Sequence, residues 1–402
     1  MLVAPAPTRP RRRWPRRLAA LLAAFVVLNL VALVGASWYY SDRIESDALR
    51  AVPGAWDRPF TVSAVDPAAG TISLSPVAGS PGLAWQERDL TGIAMVEGLH
   101  WEGGFALSQG TDSDPGPSVL RQARLTEGTW PAVGAPIGAH TFAHPHGITT
   151  PWQQVTFPGP EGPLEAAFQP GTGATWLVAA HGKGAEPNEF SRMAPVAVGL
   201  GMPTLAIRYR GDVDSPPADN GRVGFGSTEW PDLDAAVRYA MAHGAEHVVL
   251  MGASMGGAIV ASYLRHAKDT SVVTAVVLDS PALSLQRTVE WGAAQIAFPG
   301  GLSLPAPVTW GAERLTSWRF GLDWHATDYV SDTRWADRPT LVFHGDADTT
   351  VPIATSREFA AADPQVTLIE TPGAEHVASW NVDPMRYENA LRDFLAPFAS
   401  TS

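Results

Sequence analysis

The spacing of hydrophobic and polar residues divides the chain into three stretches of different character. The first is a continuous apolar run over residues 18–40, interrupted only by Asn29 and a few small polar residues. Wound as a helix it reaches ~34 Å at ~1.5 Å per residue, enough to cross a ~30 Å hydrocarbon core with some tilt. Residues 41–54, ending in Val52-Pro53-Gly54, predict a short stalk. The second stretch has the two-residue period of strands. Residues 60–65 alternate, Asp66-Pro67-Ala68-Ala69-Gly70 turns, and residues 71–75 alternate again. Further strand candidates lie at 92–96, 105–108 and 119–125. With the stalk, they predict a small β-rich module over residues 41–150, of undetermined topology and with nothing resembling an active site.

From about Pro151 the pattern changes again. Short apolar runs now alternate with helical periodicity, which predicts βαβ units around a buried, mostly parallel sheet with helices on both faces. The strand candidates are residues 175–180, 204–209, 247–251, 273–278, 340–343 and 366–369. A helix is clear between the second and third: Pro231 suits its first turn, Asp232 and Asp234 favour its positive end, and Leu233, Ala236, Val237 and Ala240 form one stripe before Gly244. Residues 284–336 exceed what one crossover helix needs and predict a helical cap carrying Trp291, Trp310, Trp318, Trp324 and Trp335. Most of these indoles are expected to pack the cap onto the sheet, with one or two lining an apolar acyl pocket.

Charge changes the picture at the N-terminus. Residues 1–17 hold six arginines (Arg9, Arg11, Arg12, Arg13, Arg16 and Arg17) and no acids; the remaining chain has 22 basic residues against 40 acidic ones, a balance of −18. Such a body repels nucleic acid and anionic headgroups, which argues against a nucleic-acid partner. The arginines precede the apolar run and acidic residues follow it, so the positive-inside rule puts residues 1–17 in the cytoplasm and everything after residue 40 outside. Trp38, Tyr39 and Tyr40 fall where interfacial aromatics are favoured. A cleaved signal peptide is the competing reading, since Val34-Gly35-Ala36 offers small residues at plausible cleavage positions, but the run is long for that purpose. The absence of cysteine excludes disulfides, thiolate metal sites and a cysteine nucleophile.

The candidate chemistry lies in the third stretch. Gly252-Ala253-Ser254-Met255-Gly256-Gly257 follows an apolar strand and precedes the apolar helical run 258–264. A serine on so sharp a strand-to-helix turn needs strained backbone angles and neighbours without Cβ, and the helix start behind it aims free N–H groups at a reacting carbonyl. A nucleophilic serine needs a base, and the base an orienting acid, in the chain order serine, acid, histidine. Two words after later strands supply candidates: His344-Gly345-Asp346-Ala347-Asp348, and Gly373-Ala374-Glu375-His376. Upstream, His181-Gly182-Lys183-Gly184 ends another strand; its turn is expected to give an oxyanion donor from the Lys183 backbone N–H, beside that of Met255. The Lys183 side chain itself reads as a solvated loop charge, and His181 as a brace for the turn.

These words resemble the α/β-hydrolase superfamily, and within it exported hydrolases of the BEM46-like and prolyl-oligopeptidase-like kind. The resemblance rests on His181–Gly184, Tyr209-Arg210, Gly252–Gly257, Asp279-Ser280-Pro281 and residues 344–352, and covers about residues 150–400. It implies Ser254 as nucleophile, His376 as base and Asp348 as acid, with Asp346 the lesser alternative and Asp279 a turn brace. It also implies no metal or organic cofactor and a small-molecule acyl substrate, first a carboxylic ester and second a peptide or amide. A histidine cluster at His140, His144 and His146, which His100 could join, is the alternative of a metal-dependent hydrolase, but it lacks a metal-site register and reads as loop residues. A non-catalytic envelope protein with the β-rich module as its working surface is the rival of a different class.

Overall fold

The computed structural model describes residues 14–50, 60–76, 92–96, 103–107, 118–137, 152–212, 215–296 and 303–399. The chain forms two compact units, Met1–Ala48 with Ala293–Leu322 and Leu49–Gly292 with Asp323–Ser402. Helix α1 (Trp14–Ile44) runs on past Tyr40, so the first residues of the expected stalk continue the helix. It is long and apolar enough to cross a membrane.

The β-rich stretch forms a six-stranded antiparallel sheet. Its strands are β1 (Phe60–Asp66), β2 (Thr71–Pro76), β3 (Gly92–Val96), β4 (Gly103–Leu107), β5 (Val119–Gly128) and β6 (Pro136–Ile137). They lie in the order β3-β4-β5-β2-β1-β6. The fourth strand begins earlier than expected, at Gly103, because Gly103 and Gly104 pair across to Gly128 and Glu127; Ser108, the expected end, lies outside the described residues.

The main sheet has eight strands. Two precede the first strand that the hydrophobic pattern predicts for this sheet: β7 (Gln153–Pro158) and β8 (Pro163–Gln169), an antiparallel hairpin at the sheet edge. They escape sequence reading because Pro158 and Pro163 bound them and Gln153, Gln154 and Pro163 point to solvent. The other six are β9 (Thr175–Ala180), β10 (Thr204–Ile207), β11 (His247–Ala253), β12 (Val273–Asp279), β13 (Thr340–Gly345) and β14 (Val366–Thr371). The sheet order is β7-β8-β10-β9-β11-β12-β13-β14, with β9 to β14 parallel throughout. Every residue of β9, β10 and β13 is buried, which is why these strands read as unbroken apolar runs rather than alternations.

The helices around the sheet are α2 (Trp230–Ala242), α3 (Met255–His266), α4 (Leu285–Ala294), α6 (Ile353–Ala362) and α7 (Pro384–Leu395); α5 (Ala306–Phe320) belongs with α1 in the smaller unit. On α2 the predicted stripe Leu233, Ala236, Val237 and Ala240 is buried, joined by Asp232. Buried Asp232 takes three charge-assisted bonds from Arg210: Nε at 2.8 Å, Nη2 at 2.9 Å and the backbone N–H at 2.9 Å. That clamp fixes the chain after β10 to the start of α2. Of the predicted cap tryptophans, only Trp335 is fully buried: it stacks on Phe359 and donates to the Tyr329 carbonyl at 2.9 Å. Trp310 and Trp318 are exposed, against the expectation that they pack inward.

Candidate active site

Ser254 sits between the end of β11 and the first residue of α3 with φ 50° and ψ −117°, a conformation side chains rarely adopt. The strain is held by the surroundings. Its N–H donates to the Asp279 carbonyl at the end of β12 at 2.9 Å, and its own carbonyl accepts from Gly257 and Ala282, both at 3.0 Å. Gly256 explains its own identity: a Cβ there would overlap the Ala180 carbonyl oxygen of β9. The elbow is therefore wedged against the two neighbouring strands, and its hydroxyl is presented at their carboxyl ends.

Two loops from the same ends reach that hydroxyl. His376, after β14, has Nε2 2.8 Å from Ser254 Oγ and Nδ1 2.7 Å from Asp348 Oδ2. Asp348, after β13, has its other oxygen fixed by the N–H groups of Thr350 and Val351, each at 2.8 Å. His344 adds a further contact, its Nε2 standing 3.2 Å from Asp348 Oδ2. Both Asp348 Oδ2 and the Val351 carbonyl, also at 3.2 Å, can only accept, so Nε2 of His344 carries the proton and Nδ1 accepts from Ser356 Oγ at 2.8 Å. Burial by itself pushes the Asp348 carboxyl up, but hydrogen bonds from His344 and His376, the His376 charge and the Val351 N–H outweigh it. The carboxyl is held well below the usual carboxylate range.

The lesser candidates have other employment. Asp346 Oδ1 accepts from the Gly373 N–H at 2.6 Å and so ties the β13 loop to the β14 loop. Buried Asp279 accepts from Tyr387 Oη at 3.0 Å. Gly345 permits the two loops to meet, since a Cβ there would collide with the Ala374 carbonyl.

The turn after β9 lies beside the serine: a Cβ added at Gly182 would stand 3.2 Å from Ser254 Cβ. The Gly182 N–H is not free for a substrate, because it donates to Glu189 Oε2 at 3.0 Å. Lys183 follows on the same turn. Met255 opens α3, where first-turn N–H groups lack intrahelical acceptors. His181 is buried and braces the turn, with Nε2 donating to Asp212 Oδ2 at 3.0 Å, its ring stacked on Tyr209, and its carbonyl accepting from Tyr209 Oη at 3.0 Å. Burial lowers its pKa, yet the Asp212 charge and hydrogen bond prevail and leave it raised above the ordinary histidine value.

Several residues around the site are silent in the sequence. Val377, next to His376, has φ 53°; its N–H donates to Ser280 Oγ at 3.1 Å and its carbonyl accepts from Arg192 Nη1 at 2.8 Å. Arg192 also donates to Asn381 Oδ1 at 3.1 Å. Ser280 belongs to a noted word, but Glu189, Arg192 and Asp212 follow no motif. The only available signal was chain position, after strands β9 and β10. His100, His140, His144 and His146 lie outside the described residues; among the described residues no group of three or more histidines, cysteines or carboxylates is arranged to hold a metal.

A family model described as serine aminopeptidase, S33, a hydrolase family, matches residues 174–306. Among solved structures, a Pyrococcus furiosus esterase is 20% identical with a TM-score of 0.48, covering 63% of this chain and 94% of its own. A Thermogutta terrifontis esterase is 18% identical with a TM-score of 0.45, covering 62% and 100%. A Bacillus anthracis bromoperoxidase is 20% identical with a TM-score of 0.44, covering 60% and 99%. Among curated proteins nothing matches the chain. Fold and reaction are separable, so these neighbours do not choose a substrate. Sheet order and the Ser254 elbow are those of an α/β-hydrolase fold, and the hydrolase family model matches within that part of the chain, residues 174–306.

Proposed function

We propose that the protein is a membrane-anchored serine hydrolase that cleaves a carboxylic ester, or a related acyl bond, on the extracytoplasmic side. The observation that carries this reading is the unbroken hydrogen-bond chain Ser254–His376–Asp348, with 2.8 Å and 2.7 Å links. His376 Nε2 takes the Ser254 hydroxyl proton as Oγ attacks the acyl carbon, while Asp348 fixes the imidazole tautomer and balances its charge. The Met255 and Lys183 amides stabilise the oxyanion. Collapse of the tetrahedral intermediate passes the proton to the leaving alcohol and leaves an acyl-serine, which water cleaves by the same steps in reverse. The words His181–Gly184 and 344–352 support a kinship with BEM46-like and prolyl-oligopeptidase-like hydrolases.

Support for the anchor comes from α1, whose residues from Leu18 to Ala32 are all exposed, and from the arginine block before it. In this reading residues 1–17 are a cytoplasmic tail, 18–40 the span, 41–150 stalk and β-rich module, and 151–402 the hydrolase domain with its cap at 284–336. Peptide or amide cleavage by the same residues is the second reading, favoured by the aminopeptidase description of the matching family model.

Fluorophosphonate labelling of wild type, Ser254→Ala and His376→Ala tests the catalytic reading. Wild type is expected to label, Ser254→Ala not at all, and His376→Ala far more slowly, with chelators without effect. No labelling of wild type, or equal labelling of Ser254→Ala, overturns it and leaves the non-catalytic envelope protein. Graded acyl esters run beside aminoacyl anilides separate esterase from peptidase.

A further inference from the structure

Helices α1 and α5 meet along a short polar seam. Ser37 Oγ donates to the Val308 carbonyl at 3.2 Å, and Thr316 Oγ1 donates to Ser41 Oγ at 3.1 Å. Arg319 donates to Ser41 Oγ at 3.2 Å and to Asp42 Oδ1 at 2.5 Å, and its guanidinium lies 4.0 Å over the Trp38 ring. Gly311 approaches Ser37 so closely that a Cβ would overlap Ser37 Oγ. On α1 no residue from Leu18 to Ala32 is covered; burial begins at Leu33 and recurs at Ala36, Ser37, Tyr40 and Ser41, a helical stripe confined to the outer end.

This places α5 at a definite level. From Leu18 to Ala36 a helix rises about 28 Å, close to the ~30 Å of a hydrocarbon core, and the next ~5–8 Å is headgroup layer. Ser37 to Asp42 fall within that layer, and α5 is tied to it at both ends, through Val308 and through Arg319. The face of α5 turned away from α1 is unusual for a helix in water. Trp310 and Trp318 are 62% and 75% exposed, with Arg314 exposed between them at helical spacing and its guanidinium 5.4 Å over the Trp310 ring. Val308, Ala312, Glu313 and Thr316 on other faces are buried. Tryptophan and arginine together are what a headgroup layer accepts: the indole spans the apolar boundary, and the guanidinium meets lipid phosphate.

We infer that α5 is an interfacial helix whose Trp310–Arg314–Trp318 face lies in the phospholipid headgroup layer of the membrane that α1 spans. The inference rests on the anchor reading, since α1 sets the level. It makes the cap segment a membrane-contacting element rather than a freely solvated one. It also gives an order of depth: Trp310, beside the residues paired with Ser37, lies deeper than Trp318, beside Arg319 and Asp42.

The cysteine-free chain allows single nitroxide labels. Ala24→Cys, Trp310→Cys and Trp318→Cys in full-length protein, in phospholipid nanodiscs, would be read by power-saturation EPR against spin-labelled lipid standards. Expected are a hydrocarbon depth at 24 and headgroup depths at 310 and 318, with 310 the deeper. A hydrocarbon depth at 24 with water-like values at 310 and 318 overturns this inference and leaves the anchor standing. A water-like value at 24 overturns both. Immobile but depth-insensitive labels at 310 and 318 would mean a second copy covers the face, which also overturns it. Fluorophosphonate labelling of each variant reports folding. In the unsubstituted chain, tryptophan fluorescence should be quenched more by lipids brominated near the headgroup than near the bilayer centre. That difference should shrink in a Trp310→Phe, Trp318→Phe double variant; an unchanged difference counts against the inference.

Discussion

Replacing Asp348 by asparagine is the sharpest perturbation of the site, because the surrounding donors dictate which way the amide must face. Oδ1 accepts from the backbone N–H groups of Thr350 and Val351, each at 2.8 Å, so the amide oxygen of Asp348→Asn must take that place. The amide nitrogen then replaces Oδ2 and points one hydrogen at His376 Nδ1, which stands 2.7 Å from Oδ2 in the native chain, while the bond from the protonated Nε2 of His344, 3.2 Å away, is lost. To accept from it, His376 must carry its proton on Nε2, the nitrogen that faces Ser254 Oγ. A protonated Nε2 cannot accept the serine proton. Shape is kept while the base is lost.

The expected result is a fall of about 10³–10⁴ in kcat and in the fluorophosphonate labelling rate, or about 4–5 kcal/mol of barrier at 1.36 kcal/mol per decade. Substrate KM should hardly move. Stability should fall by much less, about 1–3 kcal/mol, the scale of one disturbed charged hydrogen bond. Because the folded Asp348 carboxyl is held low, its contribution to stability is present above its unfolded value near ~3.9 and lost as pH falls through the lower folded one. The variant should therefore show a shallower loss of stability in acid. Asp346→Asn is the matched control, since Asp346 only accepts from Gly373. Should Asp348→Asn stay within ten-fold of wild type while Asp346→Asn loses the activity, the assignment of the acid is wrong.

Two further expectations concern groups that support the site. Ser280→Ala leaves the buried Val377 N–H without its acceptor, so it should cost about 1–3 kcal/mol of stability. By loosening His376 it should also lower kcat about ten-fold with KM unchanged; kinetics beside denaturant unfolding test this, and an equal loss in KM would indicate a merely structural role. Asp212→Asn removes the charge that raises the His181 pKa. A raised histidine stabilises the fold fully below its unfolded value near ~6.5, and that contribution is lost as pH rises through the folded value. Wild type should therefore exceed the variant most, by about 1.5–3 kcal/mol, below pH ~6.5 and less above it. A gap independent of pH between 5 and 9 would refute the charged His181–Asp212 pair.

Much of the site was legible because its parts are local in sequence. An apolar strand running into Gly252–Gly257 can form little else than a tight elbow, and the acid and histidine words each follow a buried strand of the same kind. The parallel strands were legible for the same reason, since burial on both faces leaves an unbroken apolar run. The β7–β8 hairpin was not, because an exposed edge tolerates glutamine and proline and carries no such pattern. The cap tryptophans misled in one respect. Hydrophobicity says that an indole leaves bulk water, not where it goes; Trp335 went into the protein, whereas Trp310 and Trp318 stayed outside it.

Several of the partners around the site that the sequence leaves silent act on main-chain atoms, which any residue provides. Val377 is held at φ 53° by Ser280 Oγ on its N–H and Arg192 on its carbonyl, and neither bond depends on Val377 being valine. The same holds for Glu189, whose carboxylate engages the Gly182 N–H, and for the Asp279 carbonyl that accepts from Ser254 N–H. The consequence is a division of labour. In the proposed reaction, motif residues supply the reacting side chains, and scattered partners fix the backbone angles at which those side chains meet. Both links of the Ser254–His376–Asp348 chain lie below 3 Å, although the serine backbone and that of Val377, beside the histidine, have positive φ. Strain of that kind persists only where several independent contacts hold it. The activity of this site should accordingly be more sensitive to Ser280 and Arg192 than their distance in sequence from Ser254 and His376 suggests.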